Sequence, residues 1–342
     1  MSASLPVRIV GGGLAGLALG IALGRAGVAA TIYEAGDYPR HRVCGEFLAG
    51  LDDTTIARLG IGAAFAGASL HHDVTWFLRE RVIARHALPV PARAISRFAL
   101  DARLAEQFVA GGGQLLPRTR HVLPPDDSGW VDARGRAPSG ASPWLGLKVH
   151  VRDLVSATGL EVHLGDHAYV GVSRVEDGWT NVCGLFRRRA GLRVEREGAL
   201  ATYLRASGLG QLAERLAAAP RRPGSACAVA GFAFARRVAS GAGLQLGDAG
   251  GMIPPFTGNG MTIALTGAAR ALDPLVGWSR GGCSWAETTH GIRESLRTEF
   301  AGRLRRATLL HPFLLHGPLQ LLLGAAARTG LLPTALLYRL LH

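Results

Sequence analysis

Lysine is almost absent from this chain, because Lys148 is the single lysine among its 38 basic residues. Arginine therefore carries the net charge of +13 and, with 47 glycines, gives a composition typical of a GC-rich bacterial genome. A charge of this size can indicate nucleic acid or a membrane surface as a partner. The arginines are scattered, however, and no basic stripe with interleaved aromatic residues is present. We therefore expect no nucleic-acid partner.

Cysteine is scarce too, and long apolar runs are missing. The four cysteines stand far apart without a Cys-x-x-Cys pair, which argues against a metal site or a disulfide framework and favours a reducing cytoplasm. No uninterrupted apolar run of about 20 residues suggests a transmembrane helix. The shorter run Leu14 to Leu23 contains glycines and lacks a preceding basic region, so we do not interpret it as a signal peptide. A hydrophobic content of 48% excludes a disordered chain.

The stretch from Val7 to Glu34 predicts a strand, a glycine turn, a helix and a second strand. Glycines in the turn allow a sharp reversal, close approach of a pyrophosphate and tight packing of the helix on the strand. The helix N-terminus offers N–H groups to phosphates, and Glu34 stands where a carboxylate can accept hydrogen bonds from a ribose. The motif predicts a dinucleotide site but leaves open FAD or NAD(P). Its expected contacts are Gly11, Gly13, Leu14, Ala15, Gly16, Glu34 and Ala35.

Two further segments contain candidate ligand contacts. The first is a loop rich in turn formers and basic groups, which is followed by Arg97 before a helix. A solvated surface loop is the alternative interpretation. The second is a strand that leads through Asp248 to a glycine-rich bend and another helix with unpaired N–H groups. An acid suits a polyol, and N–H groups suit a ring carbonyl that carries charge when reduced. The candidate contacts are Arg42, Cys44, Gly45, Glu46, Arg97, Asp248, Pro255, Gly258, Asn259, Gly260 and Met261.

The order of these segments predicts an α/β fold. We expect a Rossmann-like FAD-binding domain with an inserted antiparallel β-sheet substrate domain and a helical C-terminal tail. The FAD-binding domain would take residues 1–70, 92–140 and 236–292, and the substrate domain 71–91 and 141–235. The tail would take 293–342, with a helix from Arg293 to Leu304 followed by leucine-rich stretches that prolines interrupt. The tail can pack as core, contact a membrane surface or cover a channel for a hydrophobic substrate.

In these motifs the sequence resembles the family of FAD-dependent oxidoreductases related to para-hydroxybenzoate hydroxylase, squalene epoxidase and geranylgeranyl reductase. The resemblance implies that the first motif holds the ADP half of FAD, that Asp248 binds the ribityl chain, and that Gly258 to Met261 faces the isoalloxazine. The Cys-Gly-Glu loop is similar to the reductase and halogenase branch. Three signatures depart from the family. The middle motif is reduced to Asp132 to Arg136, Tyr169 to Arg174 replaces Tyr-x-Trp-x-Phe-Pro, and the halogenase Trp-x-Trp-x-Ile-Pro is absent.

The resemblance implies a monooxygenase that reduces FAD with NAD(P)H and transfers oxygen from O2 to a hydrophobic small molecule. Lys148 and His150 are two residues apart on one predicted strand and therefore share a face of the substrate sheet. His150 or Tyr169 can then orient or deprotonate a phenol. A flavin-dependent reductase of lipid double bonds and a non-catalytic flavin-binding protein are the alternatives. We expect a cytoplasmic protein that can contact a membrane peripherally through its C-terminal segment.

Overall fold

The computed structural model describes residues 4–124, 126–136, 140, 142–192, 194–195, 198–232, 234 and 243–341. The boundary expected between residues 235 and 236 lies outside these residues, as does residue 141, so the division into domains stays a prediction. The strands are β1 (Val7–Val10), β2 (Ala30–Tyr33), β3 (Phe47–Leu48), β4 (Ser69–Leu78), β5 (Arg81–Ala94), β6 (Gln114–Leu116), β7 (Trp130–Asp132), β8 (Trp144–Val151), β9 (Leu160–Gly165), β10 (Ala168–Arg174), β11 (Thr180–Arg187), β12 (Cys227–Ala230) and β13 (Leu244–Gln245).

Helices cover both sheets and form the C-terminal end of the described chain. The longest begins at Trp285 rather than near Arg293, because Ser284 and Glu287 form a reciprocal capping box at its N-terminus. The α-helices are α1 (Leu14–Arg25), α2 (Asp53–Leu59), α3 (Arg97–Ala110), α4 (Ala199–Ala206), α5 (Gly210–Ala218), α6 (Gly260–Ser279), α7 (Trp285–Leu310), α8 (Gly317–Arg328) and α9 (Thr334–Leu341).

The first sheet is parallel, with strand order β13-β7-β1-β2-β6. The chain passes from β1 through α1 to β2, and α1 packs against α3 and α6. Every residue of α1 from Leu14 to Leu23 is buried, as expected for a helix that is apolar all round. Fully buried leucines such as Leu17 contribute about 2 kcal/mol each to stability. This sheet confirms the predicted Rossmann-like arrangement.

The second sheet has the order β12-β8-β11-β10-β9-β4-β5-β3. It confirms the predicted β-rich insertion, with one difference: β4 and β9 are parallel, whereas the other pairs are antiparallel. These two strands belong to separate passages of the chain, so no hairpin turn fixes their relative direction. The predicted turn at Arg79 and Glu80 joins β4 to β5, and both residues have positive φ, as tight hairpins require.

The two faces of the second sheet have different neighbours. One face packs under α4 and α5 through alternate residues such as Val170 and Phe186. The other face contains Tyr169 and Leu185 and packs against the glycine-rich motifs and the segment after α7. Side chains that alternate along β8, β10 and β11 therefore meet the candidate site.

Candidate functional site

The glycine turn after β1 depends on close backbone contacts. Gly11 has φ +113°, and a β-carbon there would lie 2.3 Å from the carbonyl oxygen of Ala133, which follows β7. A β-carbon at Gly16 would lie 2.1 Å from the Gly11 carbonyl oxygen. A side chain at either position would force β1, β7 and α1 apart. The turn lies between β1 and β7, where the strand order reverses and where doubly wound sheets bind their ligands.

The N-terminus of α1 has free space in front of it. Gly13 precedes the helix in an extended conformation, and as a glycine it has no side chain to cap the first N–H groups. Among the described residues, a β-carbon at Gly13 would come within 4 Å of Nη2 of Arg97 alone, at 3.9 Å. The first N–H groups of a helix have no intrahelical acceptor and carry partial positive charge. The side chains of Leu14 and Ala15 are buried, so these residues can offer a ligand their backbone N–H groups.

Glu34 follows β2 and lies beside the same turn. Its carboxylate accepts hydrogen bonds from the N–H groups of Gly12 at 2.8 Å and Gly36 at 2.7 Å, and from Arg40 at 2.6 Å. Burial raises the pKa of Glu34, but the Gly36 N–H and the Arg40 charge outweigh it and hold the pKa below its ordinary value. An ionised carboxylate has lone pairs left for ribose hydroxyls. Ala35 is exposed next to it.

A group of arginines surrounds the open end of α1. Arg97, at the start of α3, forms a bidentate pair with Asp101 at 2.7 and 2.8 Å. Asp101 is fully buried and also lies 3.0 Å from Nε of Arg42. With Arg40 and Glu34, three arginines lie beside two carboxylates at this end of α1. Arginine side chains in this position suit a phosphate ligand.

Asp248 connects the second glycine-rich segment with the first. It lies in the short 3-10 helix Gly247–Ala249, where a β-carbon at Gly247 would be 3.4 Å from Cβ of Ala15. Burial raises the pKa of Asp248 to about 6, although the charges of Arg97 and Arg136 act in the opposite direction. Segments more than 200 residues apart in sequence therefore converge on Arg97.

The N-terminus of α6 is the second open helix end. Within the described residues, no atom lies within 4 Å of a β-carbon built on Gly260. Gly258 has φ +69° and lies against the Phe47 ring. Pro255 begins the 3-10 helix Pro255–Thr257, and Met261 is buried.

Asn259, the predicted contact that precedes α6, interacts with the C-terminal end of the chain. Its side-chain nitrogen donates to the carbonyl oxygen of Leu341 in α9, and its Oδ1 is buried without a hydrogen-bond partner in the described part of the chain. The end of the chain is therefore joined to the segment that resembles a flavin contact.

Glu46 is the centre of a buried ionic cluster. Its carboxylate is fully buried, accepts a hydrogen bond from Lys148 Nζ at 2.5 Å, and lies 2.6 Å from His150 Nε2. The Arg97 N–H also donates to it, at 2.8 Å. Burial raises the pKa of Glu46, but the charge of Lys148 and the hydrogen bond with His150 hold it below its ordinary value. An ionised carboxylate only accepts hydrogen bonds, so Nε2 of His150 carries the proton in this contact.

The cluster joins the second sheet to the loop that contains Cys44 and Gly45. Asn181 on β11 donates to the carbonyl oxygens of both residues, at 2.9 Å each. Burial also raises the pKa of the Cys44 thiol, which disfavours the thiolate. The predicted contribution of Glu46 to cofactor binding stays a prediction; unlike Glu34, its carboxylate is fully buried within the cluster. The catalytic role of His150 stays a prediction; its imidazole is fully buried and bonded to Glu46.

Tyr169 belongs to a separate aromatic group on the same face of the sheet. Its ring centroid lies 6.3 Å from that of Phe256 and 5.8 Å from that of His311, which follows α7. His311 stacks on Phe256 and is also close to Phe234. The imidazole is buried, and its Nε2 has no hydrogen-bond partner among the described residues. Burial lowers the pKa of His311 to about 4, so the ring is neutral at pH 7.

The structure brings the predicted contacts of the two glycine motifs together but separates His150 from Tyr169 into different groups. Two participants were absent from the sequence-based set. Asp101 has a detectable signal, because it stands four residues after Arg97 on a helix. His311 has none, since nothing in its surrounding sequence indicates that it lies against Tyr169.

Comparisons with known proteins define the fold. No known protein-family profile matches the sequence, and no curated protein matches it. The flavin-dependent brominase Bmp2 is 18% identical with a TM-score of 0.77, over 98% of this chain and 92% of Bmp2. An FAD complex of a HpxO variant from Klebsiella pneumoniae is 17% identical with a TM-score of 0.73, over 97% and 99% of the two chains.

A third solved structure is PqsL from Pseudomonas aeruginosa, described as a probable FAD-dependent monooxygenase. Its complex with 2-aminobenzoylacetate is 16% identical with a TM-score of 0.72, over 91% of this chain and 96% of PqsL. This chain therefore has the fold of FAD-dependent monooxygenases and halogenases, and the fold that the sequence motifs implied is confirmed.

Proposed function

We propose that this protein is an FAD-dependent monooxygenase that uses NAD(P)H and O2 to oxygenate a hydrophobic small molecule. The observation that carries the proposal is that the open N-terminus of α1 at Gly13 lies beside Arg97 and Asp248, while α6, whose own N-terminus at Gly260 is open, packs against α1 and the Asp248 segment. One helix end suits a pyrophosphate, and the other suits a ring carbonyl that gains charge on reduction. The FAD complex of HpxO and the monooxygenase PqsL share the fold and support this assignment.

The residues present fit FAD in two halves. The α1 N-terminus, with Arg42 and Arg97 nearby, would hold the pyrophosphate, and Glu34 would accept hydrogen bonds from the adenosine ribose. Asp248 would bind the ribityl chain, and the backbone of Gly258 to Met261 would face the flavin ring. When bound, FAD supplies the redox chemistry.

The face of the second sheet that contains Tyr169 would bind the substrate. Its neighbours Leu164, Leu185 and Leu314 are apolar and buried, so this face can hold a hydrophobic substrate and exclude water. The neutral His311 has a free Nε2 that can accept a hydrogen bond from a substrate hydroxyl or amine. Tyr169 is the second polar group of this face.

Two alternatives remain. A flavin-dependent reductase of lipid double bonds would use the same apolar face, and product formation without O2 would identify it. A non-catalytic flavin-binding protein would bind FAD that neither NADH nor NADPH reduces. Halogenation, as in the brominase Bmp2, is disfavoured because the Trp-x-Trp-x-Ile-Pro signature of flavin halogenases is absent from the sequence.

Alanine substitutions at the two open helix ends test the cofactor site. Neither Gly13→Ala nor Gly260→Ala creates a clash within the described protein, so both variants should fold with an unchanged Tm. The added methyl groups would lie where the phosphates and the flavin ring must approach the backbone. We expect FAD affinity, measured by flavin fluorescence titration, to fall at least about tenfold in each variant, equivalent to about 1.4 kcal/mol.

Gly291→Ala is the matched control, because this glycine lies within α7 and has equally free space around it. It should leave FAD binding unchanged. Normal FAD affinity in both Gly13→Ala and Gly260→Ala would contradict the proposed cofactor site.

A further inference from the structure

The outward face of α8 is apolar, contrary to the usual pattern of a surface helix. Leu321 and Leu322 are 51% and 61% exposed, and Pro318 and Ala325 are exposed on the same side one turn away in each direction. Polar Gln320, in contrast, is fully buried on the inner side. The helix therefore directs its leucines outward and its amide inward.

Other exposed leucines lie before and after α8 in the sequence. Six of the fourteen large hydrophobic side chains that are exposed in the described chain fall between residues 309 and 340. Leu321 and Leu322 are adjacent on α8, and an exposed apolar patch marks an interaction surface, whereas single exposed leucines do not. We call these six side chains the leucine face: Leu309, Leu321, Leu322, Leu331, Leu336 and Leu340.

The charged side chains that the C-terminal segments themselves contribute near the leucine face are positive. No aspartate or glutamate follows Glu299 in the sequence, whereas five arginines do. Arg303 pairs with Glu299, and Arg306 donates to the Leu340 carbonyl oxygen. Arg305, Arg328 and Arg339 are exposed. Such side chains can extend from an apolar surface to anionic headgroups.

The inner side of the tail is attached to the protein body. Gln320 Nε2 donates to the carbonyl oxygens of Gly165 and Leu314, at 2.8 Å each. Gly324 packs against Leu78 of β4, where a β-carbon would approach the leucine to 2.8 Å. The orientation of α8 is therefore fixed, and its apolar side is left for an external partner.

We propose that the leucine face binds the surface of an anionic lipid bilayer, with α8 and α9 lying in the interface. Within the described residues, no single helix is long and apolar enough to span a bilayer. The segment Trp285–Leu314, which is α7 with the 3-10 helix His311–Leu314, passes a length and composition test only together with α8, and the two are bent by 100°. A second copy fits less well, because the segments after Glu299 would bring five arginines and no acidic side chain of their own to a two-fold contact. A bilayer with anionic lipids satisfies both the leucines and the charge.

Vesicle sedimentation with the full-length protein tests this proposal. We expect binding to vesicles of phosphatidylcholine mixed with phosphatidylglycerol, weaker binding to phosphatidylcholine alone, and a decrease with added salt. Leu321→Ser combined with Leu322→Ser should lower partitioning at least about tenfold, because two leucines no longer enter the interface. Arg328→Gln combined with Arg339→Gln should reduce the preference for the anionic vesicles, because two of the three exposed arginines lose their charge.

Leu70→Ser is the matched control, since Leu70 is 54% exposed but lies on β4, outside the leucine face. It should bind vesicles like the unmodified protein. All these positions are exposed, so thermal unfolding should be unchanged. No sedimentation of the unmodified protein with either vesicle, or equal sedimentation of the leucine double variant, would overturn the proposal. A dimer in light scattering that the double variant loses would instead assign the face to a second copy.

Discussion

Replacing Lys148 by methionine removes a charge that the buried Glu46 carboxylate needs. The three donors to this carboxylate are Lys148 Nζ, His150 Nε2 and the Arg97 N–H. Methionine fills a similar volume but donates no hydrogen bond, so Glu46 would keep its charge without its closest cation. Breaking a buried ion pair on one side costs about 3–5 kcal/mol. We expect this loss in the free energy of unfolding, measured by urea denaturation monitored by circular dichroism.

The double variant Glu46→Gln with Lys148→Met separates the charge effect from packing. Because neither partner remains charged, it should recover about 1–3 kcal/mol of the loss caused by Lys148→Met. Arg270→Met is a control, since Arg270 pairs with Glu299 on the surface, and should change stability by less than about 1 kcal/mol. A Lys148→Met variant as stable as the control, or a double variant no more stable than the single one, would refute the reasoning.

Two further predictions follow from the candidate site. Gly11→Ala should strongly lower the melting temperature, because its methyl group meets the Ala133 carbonyl oxygen. Gly27→Ala, with φ +77° and no described atom within 4 Å of its β-carbon, should cost only about 1 kcal/mol of backbone strain. Equal melting temperatures of the two variants would contradict this. The native structure lowers the pKa of His311 from 6.5 to about 4. Between these two pH values the unfolded chain binds a proton at His311 and the native state does not. Relative to His311→Phe, the unmodified protein should lose about 3 kcal/mol of stability as pH falls from 6.5 to 4, measured by denaturation at each pH; parallel pH profiles would count against a neutral buried imidazole.

The sequence predicted those parts of the site whose geometry depends only on residues close together along the chain. The glycine turn follows from Gly11 and Gly16, because each requirement arises within one strand–turn–helix unit. The common orientation of Lys148 and His150 follows from the two-residue period of a strand. Their shared partner Glu46 is 102 residues from Lys148, and no local pattern specifies such a pairing.

The C-terminal region shows the limit of prediction in another way. The prolines correctly indicated interrupted helices, but they gave no information on what lies beneath them. The hydrogen bond from Asn259 to the Leu341 carbonyl oxygen and the approach of His311 to Tyr169 depend on how α7 to α9 pack on the second sheet. Long-range packing of this kind determines which polar groups come into contact. It cannot be predicted from the hydrophobic pattern of a single segment.

The burial of Lys148 has a chemical consequence, because it is the only lysine in the sequence. Its ε-amino group is fully enclosed between β8 and the loop that contains Glu46. An amine acylating reagent can modify that group only when the sheet and the loop separate. The rate of acylation at Lys148, followed by mass spectrometry of its peptide, would therefore measure the opening of this junction without any introduced label.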